Sequence, residues 1–221
     1  MKRLFLMIIL GLLALPSTAQ YHFTELGDKL VFNGDKTVDL DDADIFANVV
    51  IWTLQQAESG KDNLVLCDWS SLKETALFKL NSPNSRRAYS FEMTARVSDE
   101  QLVWDVRDIK EYPLASVKVG IPLEKFYPAK KPAQREVLDE VDALVIELLD
   151  QFVSFVDSYK ADVRLETIKA GRLEKGMSPD ECLLIQGKPV RISDNGKKTT
   201  WLYSDDSYII FEEGRLKVVM N

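Results

Sequence analysis

One histidine, His22, and two cysteines, Cys67 and Cys182, are the chain's only imidazole and thiols. Catalysis through His needs the imidazole held rigidly by a third group. His22 stands two residues from the expected mature terminus and reads as an ordinary surface residue. Two distant cysteines and one histidine do not make a Cys/His cluster, so no zinc site and no cofactor are expected. The chain contains no G-x-G-x-x-G, P-loop or G-x-S-x-G string. The acidic run Asp39 to Asp44 fails as a calcium loop. Its sixth position is Asp44 where a turn-making Gly is needed, and its twelfth is Val50 where a bidentate Glu is needed. Carboxylates are plentiful enough to allow a glycosidase-like pair, although a solvated acidic face accounts for them more simply. The aromatics carry the one hint of binding. Trp52 and Trp104 read as core, whereas Trp69, between Asp68 and Ser70, and Trp201 with Tyr203 are the candidates to face a groove.

The elements that must hold these residues are organised around a helix at about 132–159. Val137, Val141, Leu144, Leu148, Phe152, Phe155 and Tyr159 form a stripe at helical spacing, widened by Leu138, Val145, Leu149 and Val156. A second amphipathic helix is expected at 42–56, with its acids at the N-cap and first turn. Between the two helices lie strand-like stretches at 63–70, 75–80, 89–97 and 101–110. The third alternates cleanly: Phe91, Met93, Ala95 and Val97 lie on one side, and Glu92, Thr94 and Arg96 on the other. Leu102, Trp104 and Val106 point inward from the fourth. Such alternation means an antiparallel sheet wetted on one face. Residues 21–40, with Asn33-Gly34 as a turn signal, are expected as a short edge strand or an ordered arm.

Lys2, Arg3, an apolar run from Leu4 to Leu15, and Ser17-Thr18-Ala19 make a secretory leader, with cleavage expected after Ala19. The apolar run is too short to span a membrane comfortably, and no transmembrane segment is expected after cleavage. Removing residues 1–19 takes away two positive charges and changes the net charge from −7 to −9. An acidic chain is repelled by phosphate backbones, so nucleic acid is not an expected partner. In an oxidising compartment a Cys67–Cys182 disulfide would close a loop of about 115 residues and add roughly 4–5 kcal/mol. Two buried thiols in separate units is the preferred alternative.

The helix 43–56, the strand pair 89–110 and the terminal acidic helix resemble a bacterial domain-of-unknown-function family with a TBP-like fold. The resemblance covers about 40–160 and implies a curved antiparallel sheet backed by helices, with no catalytic residues to carry over. Beyond it, Ser178, Pro179 and Glu181 specify a capped short helix that Gly187 and Pro189 end. Asn195-Gly196 and Glu213-Gly214 then punctuate a meander of three or four strands. With Gly176-Met177-Ser178, Gly187-Lys188-Pro189, Trp201-Leu202-Tyr203 and Phe211 to Leu216, this unit resembles the BamE-like (SmpA/OmlA) envelope domain and related beta-lactamase-inhibitor-like folds. That resemblance implies a fold and a habit of binding envelope proteins. It departs from the family in lacking a lipidated cysteine and in following another domain.

The sequence therefore reads as an α+β protein with a leader at 1–19, a TBP-like unit at 20–160 and a BamE-like unit at 165–221. Its expected role is non-catalytic protein binding or scaffolding in the periplasm or at the outer membrane, with an envelope protein as partner. The alternatives are a periplasmic hydrolase using surface carboxylates and an enzyme-inhibitor-like protein.

Overall fold

The computed structural model describes residues 21–56, 65–83, 86–113, 119–204 and 206–220. The leader expected at 1–19 and the turn expected at Ser59 to Asp62 lie outside the described residues. In the first unit the order is β1 (Thr24–Leu26), β2 (Lys29–Thr37), α1 (Asp42–Gln56), β3 (Val65–Asp68), β4 (Lys73–Asn81), β5 (Ala88–Ser98), β6 (Gln101–Tyr112), β7 (Ile121–Pro122) and α2 (Pro132–Ser158). Among the described residues these strands make one antiparallel sheet, ordered β1-β2-β6-β5-β4-β3, with β7 beside the end of β6.

Period-2 alternation decides what this sheet buries. Phe32, Val106, Met93 and Ala76 lie in one cross-strand row and are all buried beneath the helices. The next residues along face away, giving the row Asn33, Asp105, Thr94, Thr75 and Leu66. Asn33-Gly34 is not a turn but the middle of β2. A Cβ on Gly34 would lie 2.6 Å from Trp104 Cζ2, so glycine is there to let the indole lie across the neighbouring strand. The turn between β1 and β2 falls at Gly27, which has φ +66°. The acids in the first turn of α1 act partly outward. Asp42 accepts from the Asp99 and Glu100 N–H groups at 3.1 and 2.7 Å, steadying a two-residue turn in which both residues have positive φ.

Most of the expected stripe on α2 is the face it buries: Val137, Leu138, Val141, Val145, Leu148, Leu149, Phe152 and Val156 are covered, whereas Leu144, Phe155 and Tyr159 are half-buried. α1 differs from expectation. Its residues from Ile45 to Thr53 are all buried, so it is covered on every side rather than amphipathic. The reason is the second unit. α1 touches the sheet and α2, and its Ile51 belongs to a separate core with Met177, Cys182, Leu183, Trp201, Ile209, Phe211 and Leu216. Asn48 on α1 donates from Nδ2 to the Val156 and Tyr159 carbonyls at 3.1 and 2.8 Å, satisfying the end of α2 where the two cores meet.

The second unit contains α3 (Leu165–Ala170), α4 (Pro179–Gln186), β8 (Arg191–Asp194), β9 (Lys198–Leu202), β10 (Tyr208–Glu212) and β11 (Arg215–Met220). The four strands form a meander in the order β11-β10-β9-β8. α4 begins as its sequence specifies. Ser178 Oγ accepts from the Glu181 N–H at 3.0 Å, and the Glu181 carboxylate accepts from the Ser178 N–H at 2.9 Å. Glu181 also takes Arg164 Nε and Nη2 at 2.7 and 2.9 Å and the Thr167 hydroxyl at 2.9 Å. Burial alone would raise its pKa, but these hydrogen bonds outweigh it and hold the carboxyl at about 2.

Candidate functional site

The groups with the chemistry of catalysis are individually occupied by the fold. His22 Nδ1 lies 2.8 Å from Asp142 Oδ2, and the His22 N–H donates to the other oxygen at 2.8 Å, tying the N-terminal arm to α2. Cys67 and Cys182 are both free. Cys182 is buried, whereas Cys67 is exposed as a residue on edge strand β3, not buried as expected. Its thiol nevertheless turns in toward Glu74, with the sulfur 3.8 Å from Oε1. Burial, then the neighbouring carboxyl, push that thiol up to about 12, which suppresses the thiolate a nucleophile needs. Cys182 is pushed equally high, by burial and then by Glu181. Among the described residues no three His, Cys, Asp or Glu side chains converge as metal ligands.

Acids do gather along the outer face of α2, in a cleft of about 760 Å³ lined by Glu136, Asp139, Glu140, Glu147 and the cations Lys130, Lys131 and Arg135. At its inner end Glu140 Oε2 accepts from the Tyr89 hydroxyl at 2.6 Å and from Arg87 Nη1 at 3.3 Å. Ser82 donates to its other oxygen. Arg87 Nε stands 3.5 Å from Glu111, a buried carboxyl whose pKa burial raises. Both Glu140 oxygens thus already hold internal donors, fastening β4 and β5 to α2.

The aromatic candidates divide. Trp69 is half-buried and meets Phe46 edge-on, with ring centroids 4.9 Å apart. Trp201 is 8 % exposed and packs on Phe211 inside the second core. Tyr203 is half-buried and donates to the Gly187 carbonyl at 3.2 Å. Register explains why Trp201 turns inward. It lies in the row Ile192, Trp201, Ile209 and Val219, on the side that α4 covers.

The opposite side of the same strands is apolar too. Leu202, Tyr208 and Met220 form one row, and Thr200, Ile210 and Val218 the next. All are half-buried or exposed, Met220 at 47 % and Val218 at 36 %, and none packs into the second core. A strand with one covered face should alternate, yet Tyr208 to Phe211 is apolar at every position. That unbroken run is the sequence signal by which this surface could have been found. Among the described residues the sheet has helices on one side and an uncovered apolar side on the other. At one end of the uncovered side Lys198 and Glu212 form an ion pair at 2.8 Å.

No family model matches the chain, and no curated protein matches it. Among solved structures it is similar to a TBP-like protein from Parabacteroides distasonis ATCC 8503. The two share 14 % identity at a TM-score of 0.53, over 62 % of this chain and 98 % of that one. A DUF4468 family protein from Bacteroides ovatus ATCC 8483 aligns with 13 % identity and a TM-score of 0.49, over 65 % of this chain and 94 % of that one. The BamE-like resemblance of residues 165–221 has no counterpart in these comparisons. Among the described residues no helix is long and apolar enough to cross a membrane. At these identities the likeness is one of fold: a mixed α+β chain whose antiparallel sheet is backed by helices in a TBP-like arrangement.

Proposed function

We propose that this is an exported, non-catalytic protein-binding or scaffolding protein of the bacterial cell envelope, in the periplasm or at the outer membrane. Its docking surface is the uncovered face of the second sheet. One observation carries the reading: Leu202, Tyr208, Ile210, Val218 and Met220 lie together on the side of the meander that no helix covers among the described residues. An apolar patch of this kind, edged by charges, is how a soluble protein presents a partner site. The helix-and-meander build of this unit agrees with a BamE-like module, and Lys2, Arg3 and the apolar run before Ala19 support export. The acidic first unit would steer basic partners and repel nucleic acid.

The test is photocrosslinking in intact envelopes, with the reactive residue placed at Ile210 or, as a control, at Glu147 on α2. Crosslinks at Ile210 that vanish in a Val218→Asp background, which puts a charge beside it on the same face, support the reading; a patch that captures nothing, or nothing beyond the control, sinks it. The cleft on α2 favours a second reading, a carboxylate hydrolase, because Glu136, Glu140 and Arg87 do converge there. The commitment of both Glu140 oxygens to internal donors makes it the weaker of the two.

A further inference from the structure

We propose that β8 is a self-pairing edge, through which two copies of this chain join their second sheets into one eight-stranded sheet. The argument begins with which edges are open. The outer edge of β11 is occupied at its start, since Gly176 N–H donates to the Leu216 carbonyl and Leu216 N–H to the Met177 carbonyl, both at 2.8 Å. In the first sheet, β1 is only three residues long, and at the other edge β3 directly follows residues 57–64, which lie outside the described residues. On β8, in contrast, all four residues are exposed, and among the described residues β9 is its one strand neighbour. Pro189 lies before the strand and not on it, so every β8 residue keeps its N–H; of the usual defences of an edge, β8 has short length and the charges of Arg191 and Asp194, which make the pairing weak without blocking it.

The backbone geometry states what fits there. Asn195 N–H donates to the Lys198 carbonyl at 3.1 Å, which makes 195 and 198 a hydrogen-bonded pair of the β8–β9 ladder. Alternation then turns Arg191 and Ser193 toward β9, and leaves the N–H and C=O of Ile192 and the N–H of Asp194 pointing away from the sheet. The occupant is therefore an extended strand. Ile192 is 57 % exposed and Val190 65 % exposed, and Ile192 ends the inner row that runs through Trp201, Ile209 and Val219. The matching strand must bring an apolar side chain to the same face at the height of Ile192.

A second β8 does so by symmetry. A two-fold axis normal to the sheet keeps the faces matched, so a residue can oppose only one of its own parity. That leaves two central registers. With Ser193 on the axis, Ile192 would face the Asp194 carboxylate of the second copy. With Ile192 on the axis, Ile192 meets Ile192 of the second copy, and about four new ladder hydrogen bonds form. The second register joins two inner apolar rows end to end. Electrostatics permits the approach: residues 165–221 carry nine basic and nine acidic side chains, so the net charge of −7 resides in residues 1–164. A four-residue edge buries well under the roughly 1,200 Å² of a standard interface, so the dimer is weak and forms at about 0.1–1 mM or where the protein is locally concentrated.

Sedimentation velocity on the leaderless chain, from about 10 µM to 1 mM, tests this. The expected result is a concentration-dependent shift from monomer to dimer that Ile192→Lys abolishes while Val218→Lys, on the uncovered face, leaves it in place. Circular dichroism of both variants checks that they remain folded, as their exposed positions lead one to expect. A wild type that stays monomeric overturns the proposal. So does a dimer that survives Ile192→Lys, or one that Val218→Lys removes.

Discussion

Replacing Glu74 by Gln should leave stability nearly unchanged at pH 5 and raise it at pH 8. Glu74 is 2 % exposed on β4, accepts from the Thr53 hydroxyl at 2.9 Å, and forms no ion pair among the described residues. Burial pushes its pKa from 4.5 to about 8, against the smaller opposing pull of Thr53 and Cys67. The folded pKa lies above the unfolded one, so between these values the native state holds a proton that the unfolded chain releases. The carboxyl's contribution is thus full below pH 4.5 and declines as pH rises to about 8. The slope is about 1.4 kcal/mol per pH unit, which sets a ceiling near 5 kcal/mol over that window. Relaxation of the native state and water entry reduce the measurable difference to about 2–4 kcal/mol. Gln fills the same volume and keeps a hydrogen-bonding amide, but has no proton to lose. Urea melts at pH 5, 6.5 and 8 provide the assay, with the wild-type midpoint falling more steeply with pH than that of the variant. Parallel pH dependence in the two proteins would refute the assignment of a neutral, buried Glu74.

Gly34→Ala should cost about 1–3 kcal/mol, because the new Cβ would lie 2.6 Å from the Trp104 ring and force the indole off β2; a shifted Trp emission together with a lower urea midpoint would show it. Glu181→Ala should cost about 2–4 kcal/mol by stranding Arg164 and the Ser178 N–H. The wild-type contribution has the opposite pH sense to that of Glu74: present above 4.5, it fades as pH falls through about 2, so acid titration followed by near-UV dichroism should show the two proteins converging. Ser178→Ala should remove about 1 kcal/mol, the ordinary worth of an N-cap, and an unchanged thermal midpoint would count against its role.

What the sequence revealed and what it hid divide along one physical line. Local rules were legible: the α2 stripe, the Ser178–Glu181 box and the Asn195-Gly196 hairpin each depend on residues a few positions apart. Features decided across the fold were not. Asn33-Gly34 has the composition of a turn, but the glycine answers to Trp104, seventy residues away. α1 looked amphipathic because its extra apolar residues are buried by a unit that begins more than a hundred residues later. α3 buries no residue, so it left no periodic signature. For the binding surface, single aromatics were weaker guides than strand pattern. Trp201 points inward, whereas the unbroken Tyr208–Phe211 run marks the meander as apolar on both sides.

Because Ile51 of α1 belongs to the second core, the chain also has a calendar. α1 leaves the ribosome long before the residues that complete its surroundings, with Leu216 following Ile51 by roughly 165 residues, about 10–30 s at ordinary synthesis rates. Over that interval the first unit can close its sheet over one flank of α1 while Ile51, with Leu54 and Phe155 beside it, waits uncovered. A chain arrested or clipped before α4 would carry that bare flank permanently, a ready target for holding chaperones and for proteases. Quality control could therefore read completion of the C-terminus from a helix made near the beginning.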